Sequence, residues 1–317
     1  MPLLNRARAI RLRLSGSVER PSCLGGLVLI LVYSADDIKE GGMRLGQMLV
    51  LAVLQGVTEL FPISSLGHSV LVRTILAWHI PKASPDFLPF LVVLHVGTAS
   101  ALLLYFWRDW RDIFAGLWRA RGRANNPEAR LFWLLVVASI PAGLIGLLFE
   151  KKIKLLFANL LVAATFLIVN GVVLLIGDRL KKRRSEHSLQ QMTWGRALIV
   201  GVAQAFALIP GMSRSGVTVV AGLGQGLDYA AAARFSFLMA TPLIGAAGVL
   251  EIPKLFFIRG HVDLGAIFLS WVVAGVFAYL SAWILMRYFN KQEVQALRPF
   301  GYYCLAAGGS ALLWYFL

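Results

Sequence analysis

Two short stretches of the chain carry residue types able to do chemistry. The first reads Gln55-Gly56-Val57-Thr58-Glu59-Leu60-Phe61-Pro62-Ile63-Ser64-Ser65-Leu66-Gly67-His68. The second reads Pro210-Gly211-Met212-Ser213-Arg214-Ser215-Gly216-Val217-Thr218. Gln55 and Glu59 stand four apart and share one face of a helix. Ser64, Ser65 and His68 follow a break at Pro62, and the polar residues of the second stretch follow a break at Pro210-Gly211. Helix starts present N–H groups without intrahelical partners and a positive dipole end. Two such starts facing each other, with Arg214 beside them, make an anion site, because a guanidinium fork fits phosphate oxygens. There Ser65 can attack phosphorus, and His68 can relay a proton or take the phosphoryl group itself. Glu59 can orient or deprotonate the nucleophile, or hold a divalent cation such as Mg or Ca that neutralises phosphate charge.

Each of these residues also has a plainer use. A Ser beside a break caps a helix, a buried Glu can be a structural hydrogen-bond partner, and Gln55 and Gln204 can bridge helices. Ionisable groups at membrane depth are costly, so Glu59, His68 and Arg214 on matching stretches favour function over packing. His95 is expected to make an interhelical hydrogen bond rather than to catalyse, and Arg73 to snorkel outward. His79, His187 and His261 receive no role.

The elements that must position these residues belong to a membrane protein. Of 317 residues, 58% are hydrophobic and 15% charged, with mean hydropathy +0.71. A soluble domain is about 25% charged. This composition excludes a disordered chain and argues against a soluble enzyme. Apolar runs of about 20 residues recur, the length that crosses a bilayer as helix. The roughly ten-residue alternating segments of a β-barrel do not. Net charge is +15, and the basic residues sit mostly between apolar runs. They therefore read as topology rather than as a nucleic-acid surface. Cys23 and Cys304 lie far apart in apolar surroundings and imply neither a disulfide framework nor a zinc site.

From Met43 onward, six segments are long enough to cross: 88–107, 131–149, 155–177, 235–252, 264–288 and 299–317. Four shorter ones form two pairs, 46–61 with 64–79 and 195–209 with 213–227, each broken at its proline. A helix of about 15 residues falls short of the roughly 30 Å hydrocarbon core, so each pair reads as a re-entrant hairpin. Loops 108–130, 178–196 and 287–298 then share one side with fifteen basic residues, against six in loops 80–87, 150–154 and 253–263. The basic side should be cytoplasmic. The first hairpin then opens outside and the second inside. A shift of 149 places Val53 on Val202, Gln55 on Gln204, Ser64 on Ser213, Gly67 on Gly216 and Val70 on Val219. The expected fold is an all-α polytopic membrane protein, an inverted repeat of two units, each a hairpin plus three crossings. Residues 43–177 form the first repeat, 178–194 a basic cytoplasmic loop and 195–317 the second.

Residues 1–42 are unlike the rest. Arg6, Arg8, Arg11 and Arg13 precede an apolar stretch, 24–32, that is too short to span. The segment reads either as signal-like, with a poor cleavage site, or as untranslated, with Met43 the natural start. The second reading is preferred.

The two hairpin motifs resemble the undecaprenyl-diphosphate phosphatase family, also called bacitracin-resistance proteins. Further similarity lies in Leu94-His95-Val96-Gly97-Thr98, Ile140-Pro141-Ala142 and Phe235-Ser236-Phe237-Leu238. The resemblance covers about residues 44–317. It implies an enzyme that removes the terminal phosphate of undecaprenyl diphosphate, recycling the lipid carrier of cell-wall synthesis. It assigns catalysis to Glu59, Ser65, His68 and Arg214, and substrate binding to Gln55, Ser64, Ser213, Ser215 and Thr218. It also implies a bacterial cytoplasmic-membrane location, a pocket open to the outer face and a capacity to dimerise. Gln55 stands where many members have Glu, which weakens the case for a carboxylate pair holding metal, and Leu91 stands where an acidic residue is frequent. Whether Ser65 or His68 bonds to phosphorus is left open.

A transporter or flippase for an anionic lipid or small anion is the rival reading, because broken helices in inverted repeats are transporter architecture. Such a protein needs an anion clamp but no nucleophile beside a His and a Glu. A phosphatidic-acid-type phosphatase would need a second His soon after Arg214, and none occurs before His261.

Overall fold

The computed structural model describes residues 43–76, 78, 87–156, 159–180, 189–257, 263–291 and 295–317. The alternative readings of residues 1–42 lie outside the described residues. Twelve α-helices and two 3-10 turns form among the described residues, with no strand. In chain order they are α1 (Leu45–Thr58), α2 (Ser65–Ile75), α3 (Phe87–Tyr105), α4 (Trp107–Arg119), α5 (Pro127–Leu148) and α6 (Glu150–Leu156). There follow α7 (Leu160–Leu180), α8 (Trp194–Ala205), α9 (Arg214–Gly224), α10 (Tyr229–Phe257), α11 (Leu264–Lys291) and α12 (Arg298–Phe316).

All six expected crossings appear as helices: α3, α5, α7, α10, α11 and α12. Four spans are long and apolar enough to cross alone, Pro127–Leu148, Leu160–Arg179, Tyr229–Pro253 and Leu264–Lys291. α3 qualifies only together with α4, from which it bends by 76°. α12 is continuous but carries glycines and tyrosines among its apolar residues and is not among the helices apolar enough to cross alone. Several boundaries differ from expectation, among them α10, which runs Tyr229–Phe257 where 235–252 was expected, and two of the differences have a clear physical reason. The crossing expected over 155–177 starts at Leu160, because Asn159 accepts from the N–H groups of Leu161 (3.0 Å) and Val162 (3.3 Å) and caps α7 there. The stretch expected as loop 108–130 holds α4, an amphipathic helix. It buries Trp110, Ile113 and Gly116 while leaving Trp107, Phe114 and Trp118 exposed.

Both short pairs form as broken helices. α1 and α2 are separated by residues 59–64. α8 runs into a 3-10 turn, Phe206–Leu208, and resumes as α9 after residues 209–213. The packing repeats between halves. α1 lies on α11 and α8 lies on α5, which is the same contact if α1 corresponds to α8 and α5 to α11. Each is a close approach at glycine. A Cβ on Gly56 would lie 2.5 Å from the Ala274 carbonyl oxygen, and one on Gly201 would lie 2.4 Å from that of Ala138. Helices that approach this closely gain packing contact that hydrophobicity cannot supply in lipid. The end of α7 is clasped to both α10 and α12. Buried Asp178 accepts from the Tyr229 hydroxyl (2.6 Å), the Leu297 N–H (3.1 Å) and Arg298 Nε (3.1 Å).

Candidate active site

The last turn of α1 brings Gln55 below Glu59, and Gln55 Nε2 donates to Glu59 Oε2 at 3.0 Å. Pro62 has no N–H to continue the helix, so the chain turns. Ser64 takes φ 69°, a left-handed conformation that costs a non-glycine residue on the order of 1–3 kcal/mol. That turn aims the Ser64 hydroxyl back at α2, where it accepts from the Gly67 N–H at 3.3 Å and caps the helix. Ser65 thereby becomes the first residue of α2, and its hydroxyl donates to Glu59 Oε2 at 2.6 Å.

The second hairpin repeats the device. Ser213 accepts from the Gly216 N–H at 3.2 Å, capping α9, and Arg214 is the first helical residue. Arg214 Nη2 donates to Glu59 Oε1 at 2.9 Å, across 155 residues of sequence, and Nη1 reaches the Ser236 carbonyl at 3.3 Å. Thr218 donates to the Arg214 carbonyl at 2.7 Å and pairs with the Ser236 hydroxyl at 2.7 Å, which braces the first turn of α9. Ser215 donates to the Phe61 carbonyl at 3.2 Å, and its hydroxyl lies 3.1 Å from that of Ser213. The two breaks therefore touch. A Cβ on Gly67 would sit 3.2 Å from Gly211 Cα.

All the residues named for the site are buried except that Arg214 keeps a slightly larger exposure, 12% of its side chain. Glu59 is the centre: one oxygen faces Arg214, and the other faces Gln55, Ser65 and His95. A serine hydroxyl donating to a carboxylate whose other oxygen is held by a guanidinium is an arrangement in which the serine can act as nucleophile and the carboxylate as base. His68 stands apart from that cluster. Its Nδ1 donates to the Ser64 carbonyl at 2.7 Å, so Nε2 accepts from the Tyr303 hydroxyl at 2.8 Å, with the two rings parallel to within 7°.

Sequence reasoning missed or misread several residues. His95 makes the interhelical contact expected of it, with Nε2 3.4 Å from Glu59 Oε2 and Nδ1 on the Leu91 carbonyl at 2.7 Å, and the unforeseen part is that its partner is Glu59, which puts it inside the site. Its place in Leu94-His95-Val96-Gly97-Thr98 was the available signal. Ser236 and Tyr303 were not singled out as site residues. Asn170, fully buried on α7, ties the two hairpins together, and a lone amide in an apolar crossing was its signal. Arg73 was expected to reach outward and is buried, at 9% exposure. Gln55 bonds within its own hairpin rather than bridging to another helix, and neither amide atom of Gln204 has a hydrogen-bond partner among the described residues.

The donors present do not fit a metal ion held by the protein alone. A hard cation takes six or more oxygens, whereas Glu59 offers one carboxylate already shared by Arg214, Ser65 and Gln55. No group of three His, Cys, Asp or Glu side chains gathers among the described residues.

A family profile described as bacitracin resistance protein BacA matches residues 48–310. The chain is 54% identical over 268 residues to a Chromobacterium violaceum protein named undecaprenyl-diphosphatase 2, covering 84% of this chain and 97% of that one. It is 51% identical over 272 residues to an Acidiphilium cryptum undecaprenyl-diphosphatase, covering 83% and 95%. A Burkholderia lata undecaprenyl-diphosphatase 2 is 48% identical over 275 residues, covering 87% and 98%.

Proposed function

The chain belongs to the bacitracin resistance protein BacA family, and from that premise and the site's geometry we infer that it hydrolyses undecaprenyl diphosphate to undecaprenyl phosphate and phosphate. It is a membrane phosphatase that returns the lipid carrier to cell-wall synthesis and so confers bacitracin resistance. The observation that carries the mechanism is Ser65 Oγ at 2.6 Å from Glu59, with Arg214 on the other carboxylate oxygen.

In this reading the diphosphate lies between the starts of α2 and α9. Arg214 turns part of its five-donor guanidinium to the phosphate oxygens. Ser65 Oγ attacks the terminal phosphorus while its proton passes to Glu59. The bond from that phosphorus to the bridging oxygen breaks, and undecaprenyl phosphate leaves. Water then displaces the seryl oxygen, releasing phosphate and restoring Ser65. His95 and Gln55 keep the Glu59 carboxylate turned toward Ser65. His68, held by Ser64 and Tyr303, supports the break rather than attacking.

We place the site toward the outer face of the bacterial cytoplasmic membrane, on the strength of the basic loops. The repeats are assigned to residues 43–177 and 195–317, and a homodimer is compatible with this arrangement. Phosphate release by purified protein given undecaprenyl diphosphate, with and without a chelator, tests the activity. Steady release supports the phosphatase, and its dependence on the chelator reads the Mg or Ca expectation separately. A protein that binds the lipid but never releases phosphate, across divalent cations and pH, overturns the assignment and returns the transporter reading.

A further inference from the structure

Asn170 sits in the middle of α7, outside both hairpins, and is completely buried. Its amide spans them. Nδ2 donates to the Pro62 carbonyl at 2.9 Å, and Oδ1 accepts from the Ser213 N–H at 3.0 Å. Pro62 lies in the break between Glu59 and Ser65, and Ser213 is the cap residue immediately before Arg214. One side chain therefore satisfies a backbone acceptor of the first hairpin and a backbone donor of the second. Both are groups that a helix break leaves without helical partners. The third contact, Nδ2 to Cys304 Sγ at 3.4 Å, joins α12 to the same point.

Resting on the phosphatase reading, we propose that Asn170 is a positioning residue for catalysis: it sets the register between the hairpin that carries Glu59 and Ser65 and the hairpin that carries Arg214. The two hairpins contribute opposite halves of the reaction, nucleophile and base from one and the anion clamp from the other. Their relative placement decides whether Ser65 Oγ reaches the phosphorus that Arg214 holds. Ser215 bridges to the Phe61 carbonyl on the same seam but touches only the first hairpin's backbone. Asn170 bonds to the backbone of both. Its amide is matched to the task because it offers a donor and an acceptor side by side. Leucine of similar size offers neither, and an ionised aspartate offers only acceptors.

The test uses full-length protein purified in detergent, with undecaprenyl diphosphate as substrate, and compares wild type with Asn170→Leu and Asn170→Asp. Rates are taken on monodisperse protein so that loss of folding is not read as loss of turnover. Asn170→Leu should lower kcat by about a hundredfold, the penalty of a small misplacement, with KM within about threefold of wild type. Asn170→Asp carries the sharper signature. Ionised, it faces the Pro62 carbonyl without a donor. Protonated, its hydroxyl and carbonyl restore the donor and acceptor of the amide. Its activity relative to wild type should therefore rise on acidification. Cys304 is the titratable group in contact with this position, and Glu59, His68, His95 and Arg214 are common to both proteins, so the ratio isolates residue 170.

Asn170→Leu with kcat within about threefold of wild type, or an Asn170→Asp profile parallel to wild type at every pH, overturns the proposal. If Asn170→Leu fails to fold, the pH ratio of Asn170→Asp decides alone. Wild-type protein that releases no phosphate overturns the function instead, so the two failures are distinct.

Discussion

At the scale of residues, the account rests on a single carboxylate. Glu59 touches Ser65, Arg214, Gln55 and His95, so on the proposed mechanism its replacement by Gln removes the base while keeping the shape. Glu59→Gln and Ser65→Ala should each cost orders of magnitude in phosphate release yet still bind the lipid. The double variant should be little worse than either single, because the two residues act as a unit. Arg214→Lys keeps the charge but loses the planar fork. It should forfeit about 2–4 kcal/mol at the transition state, read as kcat/KM on protein that still inserts. Tyr303→Phe removes the donor to His68 Nε2 but leaves Ser65 on Glu59, so it should be much milder than Ser65→Ala in the same assay. Glu59, Ser65 and Arg214 were legible because each stands within four residues of a proline break, and ionisable groups at membrane depth are costly enough to favour function over packing. Tyr303 and Asn170 were harder to read, because they sit inside ordinary crossings and their roles depend on partners 43 to 235 residues away in sequence.

At the scale of elements, the two breaks do the positioning, and the second depends on a glycine. Gly211 has φ 99°, and a Cβ there would lie 2.2 Å from the Ala163 carbonyl oxygen on α7. Gly211→Ala therefore meets both backbone strain of about 1–3 kcal/mol and a clash with rigid backbone. It should lower the temperature of detergent inactivation and the turnover together. Gly143→Ala, on the open side of α5 where a Cβ meets nothing within 4 Å, should leave both unchanged or slightly improved. The crossings were readable from the lengths of apolar runs. The helix α4 was not, since its charges had been counted as loop charges. Its aromatic residues recur at helical spacing, with Trp107, Phe114 and Trp118 on the exposed side and Trp110 and Ile113 beneath. The halting of α7 at Asn159 was likewise invisible to a hydropathy argument, because a cap is a hydrogen bond and not an apolar quantity.

At the scale of the whole molecule, two similar halves meet at one site, and the internal match at a shift of 149 was readable before any coordinates. What the shift could not convey is asymmetry. The position matching Glu59 in the second half is Leu208, and that matching Ser65 is Arg214, so the halves share a scaffold and, on the proposed mechanism, divide the chemistry. The clasp at Asp178 joins α7 to α10 and α12, and Asp178→Ala strands the Leu297 N–H in the interior and takes one acceptor from the Tyr229 hydroxyl. The orphaned N–H costs about 1–3 kcal/mol, so detergent inactivation should move to lower temperature while kcat of the surviving protein stays near wild type. The central claim, that Ser65 takes the phosphoryl group with Glu59 as its base, is tested most directly by turning the purified enzyme over on undecaprenyl diphosphate labelled at the terminal phosphorus, quenching, and mapping the protein-bound label. The account predicts label on Ser65, absent in Ser65→Ala; label on His68, or rapid turnover by Ser65→Ala, would contradict it.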